Sequence, residues 1–270
     1  MRRIGRADNL IKEKTQGEVS SQGSQLLEER PFAYGMHIYK FVWIFLIGCV
    51  AGYVVEMLWG YVQMGHFESR QGLIYGPFSP VYGFGAVLFT LLMWWLRKAS
   101  GVTIFVISAV GGALFEFFCS FFQEVVFGTL SWEYSHSPFN LAGRTNLKYA
   151  VYWGILGFVF IRHTLPWVSR QIEKIPKKVG VPLTNVVIVL LALDILLSAA
   201  AVKQWSNRQQ HAAESGVIST FLDTHYPDER MEKIYPNMKL AEDHREESEK
   251  KKAESESKES ASHAQTKGND

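Results

Sequence analysis

Disulfide chemistry is the first thing the sequence lacks. Its two cysteines, Cys49 and Cys119, fall inside apolar runs, where a thiol packs as a small hydrophobic group. A disulfide-stapled fold is therefore excluded. A nucleotide loop of the GxxxxGK(S/T) type is also absent, so ATP hydrolysis by that route is not expected of this chain. No His/Cys/Asp spacing specific to a metal recurs, and no nucleophile stands with an assigned base, so the chain is read as a non-enzyme without metal or other cofactor. The formal net charge is only +2. It sums unlike parts and implies no nucleic-acid partner. A cleavable secretory signal is missing too: the first apolar run begins near residue 39, is long enough to span, and has no Ala-x-Ala-like site behind it, which reads as an uncleaved signal anchor.

Charge is also missing from long stretches of chain. Past Lys40 at its edge, the run 39–62 holds a single internal charge, Glu56, and further apolar runs cover 81–96, 101–123, 149–165 and 182–202. Each approaches the roughly 20 residues that a helix needs to cross about 30 Å of hydrocarbon. The expected fold is all-α, a polytopic membrane protein of about five transmembrane helices; four spans with 182–202 placed otherwise is the minor alternative. A polar N-terminal segment (1–38) precedes a four-span core (39–165). A basic loop (166–181), a fifth helix (182–202) and a polar, largely disordered tail (203–270) follow. That tail carries eleven Lys/Arg and fourteen Asp/Glu, and its few apolar residues around GVISTFLDTHYP offer a short contact at most.

Basic residues cluster in alternate connections. Arg30 and Lys40, then Arg97 and Lys98, then Arg162, Arg170, Lys174, Lys177 and Lys178 would all be cytoplasmic if the N-terminus is inside. The loops 64–80 and 124–148 would then face outward with the C-terminal tail. The run 170–178 suits contact with anionic lipid.

A weak internal echo links the halves. Gly52 and Glu56 in the first run match Gly112 and Glu116 in the third, Pro77-Phe78 matches Pro138-Phe139, and YGFGA (82–86) resembles YWGILG (152–157). Two helix-loop-helix repeats entering from the same side would be parallel, with the fifth helix outside the duplication.

Glu56 and Glu116 carry the clearest individual signal. A carboxylate at membrane depth costs at least about 2.5 kcal/mol and must find a protein partner, water or a proton. Packing across helices and a substrate, ion or proton-coupling role are both open readings. Asp194, nearer the middle of the fifth run, either docks that helix or couples protons. In the second loop Glu133, His136, Asn140 and Arg144 supply an acid, an imidazole, an amide and a guanidinium, a set suited to an anionic group or lipid headgroup. Trp132 and Tyr134 can anchor at headgroup level. An ordered cap, a ligand-binding loop and a catalytic loop at 131–144 are the three readings of this segment.

The stretches GYVVEMLWGY (52–61), GLIYGPFSPVYGFGA (72–86) and LFEFFCSFFQEVVFGTLSWEYSHSPFNLAGRTNLKYAVYWGILG (114–157) resemble the family described as putative ABC-transporter type IV, the CmpB-like permeases of bacterial membranes. Gly76, Pro77, Tyr82 and Gly83 match its first motif. Trp132, Tyr134, Ser135, Pro138, Phe139, Asn140, Gly143 and Arg144 match its second, with Glu133 where the family more often has aspartate. The resemblance covers roughly 40–165. It implies a multi-pass bacterial cell-membrane permease of unknown substrate, served by a separate ATPase subunit and surrounded by membrane lipids. A homo-oligomer or other membrane partner stays open. A non-transport scaffold or sensor of a lipid or envelope component, and a membrane enzyme using the 131–144 loop, are the alternative functions.

Overall fold

The computed structural model describes residues 30–212, 216–247 and 249–250; the readings of 1–29 as polar and of 251–270 as disordered lie outside the described residues. Helix α1 (Ile38–Met64) opens where the His37 ring accepts from the Tyr39 amide and closes at Gly65, whose φ of 75° suits a left-handed C-cap. Helix α2 (Pro80–Leu96) starts on a proline, whose missing amide hydrogen costs nothing in a first turn. Helix α3 (Gly101–Phe127) is capped by Ser100 and ends at Gly128, again left-handed. Helix α4 (Leu147–Val159) is capped by Asn146 and runs through a π-helical turn, Phe160–Thr164, into α5 (Leu165–Glu173). Pro166 explains the turn, because in a regular helix its ring would meet the carbonyl one turn back, and the wider turn relieves that clash. Helix α6 (Lys177–Gln209) is the longest, and α7 (Val217–His225) and α8 (Asp228–Ile234) follow it.

Among the described residues three helices, α1, α3 and α6, are long and apolar enough to cross a bilayer, and α2 is apolar but shorter. In each of the three, less than a third of the apolar window is buried inside the protein. A helix that is apolar all round and still uncovered by protein needs an apolar surrounding, which a bilayer provides.

The four core helices pack as two pairs, α1 with α2 and α3 with α4. Their contacts recur. Gly52 lies against the Tyr82 ring and Gly112 against the Trp153 ring; a side chain at Gly83 would meet Phe45 at 2.8 Å, and one at Gly154 would meet Phe105 at 2.7 Å. The shift between pairs is sixty residues in the first helix and seventy-one in the second. Glycine is required at these positions because the partner ring occupies the place of a β-carbon. Trp153, not Tyr152, therefore stands where Tyr82 stands in the other pair.

At the end of the bundle away from the long loops, buried Lys40 donates to Ser169 at 2.7 Å and is ion-paired with Glu173, tying α1 to α5. Trp43 donates to Thr184 at 2.9 Å, tying α1 to α6. Phe32, Ile44, Ala86, Leu165, Val168 and Ile172 form the apolar cluster there.

The reading of 203–270 as a largely disordered tail is corrected over 217–240. Leu222, Tyr226, Met231 and Tyr235 are buried in one cluster with Ile74, Ala201, Val202 and Trp205. Lys239–Leu240 pairs antiparallel with Thr129–Leu130, Thr129 opposite Leu240. The tail's apolar residues are too sparse to build a core by themselves. They complete one whose other half comes from the first loop and the end of α6.

Candidate functional site

Each core glutamate lies one helical turn beyond the glycine that admits its partner's aromatic ring. In the first pair this spacing brings the polar end of the ring to the carboxylate. Tyr82 donates to Glu56 at 2.5 Å. Glu116 accepts from Thr145 at 2.7 Å and, more loosely, from Tyr134 at 3.4 Å, and the Trp153 side chain packs one turn away against Gly112. Glu116 is only 6% exposed, whereas Glu56 is half-buried. The Tyr82 and Trp153 rings are 6.0 Å apart, so the two helix pairs meet at this point. Tyr134 stacks on Tyr149 at 4.7 Å, Tyr149 meets Tyr152 edge-on, and Tyr152 meets Trp59. Two acids, one from each helix pair, thus sit within an aromatic lining supplied by α1, α2, α4 and the second loop. Among the described residues neither acid forms an ion pair.

The second loop spends most of its polar groups on itself. Asn140 donates to the Ser135 and Ser137 carbonyls and accepts from the Gly143 amide at 3.0 Å. Trp132 donates to the Arg144 carbonyl at 3.0 Å, and the Tyr134 amide donates to the Gly143 carbonyl. Glu133 accepts from the Ser135 amide at 2.6 Å and fills the place a side chain at Gly143 would need, where φ is 68°. These contacts give the Gly143 position a steric reason. Pro138 and Phe139 form the exposed tip, with Phe139 held at a φ of 54°. His136 is exposed, its ring nitrogen 3.9 Å from Glu133.

Arg144 is turned away from the carboxylates. It is ion-paired with Glu124, donates to Ser120 at 3.2 Å and lies over the rings of Phe117 and Phe121 on the end of α3. Glu133, His136, Asn140 and Arg144 are therefore not gathered with Glu56 and Glu116. The loop sends Tyr134 and Thr145 inward instead. Tyr134, expected at headgroup level, is half-buried, and desolvation pushes its hydroxyl well above the ordinary tyrosine range, so it stays a proton donor. Sequence reasoning missed Thr145, Tyr149 and Trp153. The available signal was the glycine-to-aromatic register between paired helices, which places Trp153 beside Gly112.

The first loop is built around Gly76, with φ of 76°, and Pro77; the Gly72 amide donates to the Phe78 carbonyl at 2.7 Å. Gly83 packs on Cys49 and Phe45. Asp194 of α6 accepts from the Tyr75 amide at 3.3 Å and from Ser198 at 3.2 Å, while Ser198 accepts from the Ile74 amide. Its contacts thus join α6 to the loop backbone.

The C-terminal segment clasps both loops. Tyr226 and Tyr75 share a hydrogen bond of 2.9 Å, and Ser69 donates to the Ile234 carbonyl. On the other side the Ala241 amide donates to Gly128, His244 reaches the Leu130 carbonyl, and Arg245 pairs with the same Glu124 that holds Arg144. Both loops and the 217–245 segment consequently lie on one face. Among the described residues, no group of three or more His, Cys, Asp or Glu is placed to hold a metal ion.

A family model described as Putative ABC-transporter type IV matches residues 43–199, more than half of the chain, from α1 through most of α6. No curated protein and no solved structure matches the chain.

Proposed function

Since the chain belongs to the family described as Putative ABC-transporter type IV, we propose that it is the permease-like subunit of a membrane transporter, and that polar cargo passes or binds at the junction of the helix pairs that carry Glu56 and Glu116. One observation carries this reading. Each helix pair contributes an acid one turn past a glycine and an aromatic ring packed on that glycine, the two rings meet at 6.0 Å, and among the described residues neither acid has an ion pair. A carboxylate in an apolar bundle without a basic partner needs donors, water or a proton, and these two rely on neutral hydroxyl donors that leave room for a polar cargo or a proton to bind.

In this proposal the bundle has five spans, with α2 and the α4–π–α5 helix adding to the three longer ones, and the two core pairs are parallel repeats. The N-terminus is cytoplasmic in a bacterial cell membrane, and both loops and the clasp face outward. Arg162, Arg170 and Lys174, with Arg97 and Lys98, lie at the opposite end, as the positive-inside tendency requires. A separate ATPase supplies energy, because the chain has no phosphate-cradling loop of its own. Lipids cover the apolar flanks, and a second copy or another membrane protein would complete the assembly. No enzymatic role is proposed; Glu133 is occupied by the Ser135 amide, and His136 is exposed.

A second reading, a non-transporting scaffold or sensor of an envelope component, draws on the self-bonded second loop, whose motif residues hold a cap in shape. Purification of the full chain from its own membranes in mild detergent separates the two. The permease reading expects a P-loop ATPase to co-purify in fixed ratio, and expects Glu116→Gln to leave that association intact. Repeated purification of a stable chain with envelope proteins and no ATPase would overturn the permease reading in favour of the scaffold.

A further inference from the structure

Helix α7 carries an apolar face that none of the described residues covers. Val217 is 89% exposed, Ile218 74% and Phe221 49%. On the adjoining side Leu222 is buried against the end of α6, in the cluster with Ala201, Val202 and Trp205. Gln204 donates to Asp223 at 3.0 Å, and Arg208 bonds Asp223, Asp228 and the Tyr226 carbonyl. These bonds fix the helix beside residues 201–208, just past the last apolar stretch of α6.

The height of that position decides what covers it. Leu193 and Leu196 are the last strongly exposed leucines of α6, at 59% and 67%, and belong to the surface that the bilayer covers. Six residues separate Leu196 from Val202, a rise of about 9 Å along a helix. An amphipathic helix in a membrane interface buries its apolar face about 5–10 Å into the headgroup boundary. Thus α7 is held at the level where the hydrocarbon gives way to headgroups. Thr220 and Thr224 continue the exposed side next to Val217 with their hydroxyls donated to the Gly216 and Thr220 carbonyls, and His225 stacks on Phe221 between it and Ile218. The apolar face is continuous in height with the lipid-covered face of α6, while the opposite end of the clasp, Arg245 on Glu124, is polar.

We infer that α7 is an interfacial anchor, with Val217, Ile218 and Phe221 seated in the lipid leaflet on the loop side of the membrane. The segment that ties the two loops together is thereby fastened to the bilayer surface as well as to α6. This binding surface lies apart from the paired glutamates, and it stands whether or not the chain transports anything.

Spin-label accessibility tests the assignment. The full chain, with Cys49 and Cys119 replaced by alanine, carries a nitroxide at Ile218→Cys or, as the polar reference, at Glu232→Cys on α8. It is reconstituted into vesicles of phosphatidylcholine and phosphatidylglycerol. At 218 the label is expected to collide more often with oxygen than with a water-soluble nickel chelate, and at 232 the order reverses. Val217→Cys supplies a second site should Ile218→Cys fail to fold. Nickel collisions exceeding oxygen collisions at a folded 217 or 218 site would place the face in water and overturn the anchor. A label shielded from both reagents would also overturn it, showing the face covered by protein.

Discussion

At the scale of single residues, the glycines that face aromatic rings set the distance between helices. At Gly112 a β-carbon would collide with the Trp153 side chain, whereas at neighbouring Gly111 the nearest atom is a Leu92 methyl at 3.8 Å. Gly112→Leu is expected to separate α3 from α4 at a cost of about 1–3 kcal/mol, in the range of overpacked cores, while Gly111→Leu leaves stability within about 0.5 kcal/mol. Thermal unfolding of the detergent-purified variants measures the difference, and equal midpoints would show that the close approach has no role. The same register seats Trp153 one turn from Glu116, so Gly112→Leu is also expected to displace the site. Arg144 belongs to a different set of contacts. Its bonds to Glu124 and Ser120 make Arg144→Ala a change in how the second loop sits on α3. Protease cleavage within 129–146 should therefore quicken while α1 and α2 stay resistant. Unchanged cleavage would contradict that placement.

Among the elements, the clasp most changes the picture that sequence alone supplies. Met231 is fully buried between α8, the end of α6 and the first loop. Met231→Ala should destabilise the clasp by about 2–5 kcal/mol and expose the first loop to protease, with the spanning helices still inserted. Loss of insertion would mean instead that the clasp is needed to build the core. The apolar runs and the motif loops were legible because a span shows as twenty consecutive uncharged residues and a tight turn as glycine beside proline. The clasp was not. Leu222, Tyr226, Met231 and Tyr235 are scattered through a charged segment, and their significance depends on Ile74 and Trp205, far away in sequence. The π-helical turn leaves only Pro166 as a local sign, and that proline is equally compatible with a kink or a helix end. Within the site, Glu56 and Glu116 stood out by their charge, whereas Thr145 and Trp153 are ordinary residues until the helix pairs are brought together. Arg144 looked like a ligand group because guanidinium suits anions, but its partner is Glu124, held at the end of α3.

On the scale of the whole molecule, two helix pairs meet through Tyr82 and Trp153, both long loops and the clasp close one face, and Lys40 and Arg162 mark the other end. The account rests on the acids at the junction of the pairs being used for more than packing. Glu116→Gln is the suitable probe, because an amide keeps the shape and still accepts from Thr145 while removing the charge. The variant is introduced into cells lacking the wild-type chain, and their solute content is compared with that of cells carrying wild type and of cells carrying neither. At matched membrane abundance and thermal midpoint, the Glu116→Gln cells are expected to show the solute profile of cells without the protein. A profile indistinguishable from wild type would contradict a role for the paired carboxylates in transport.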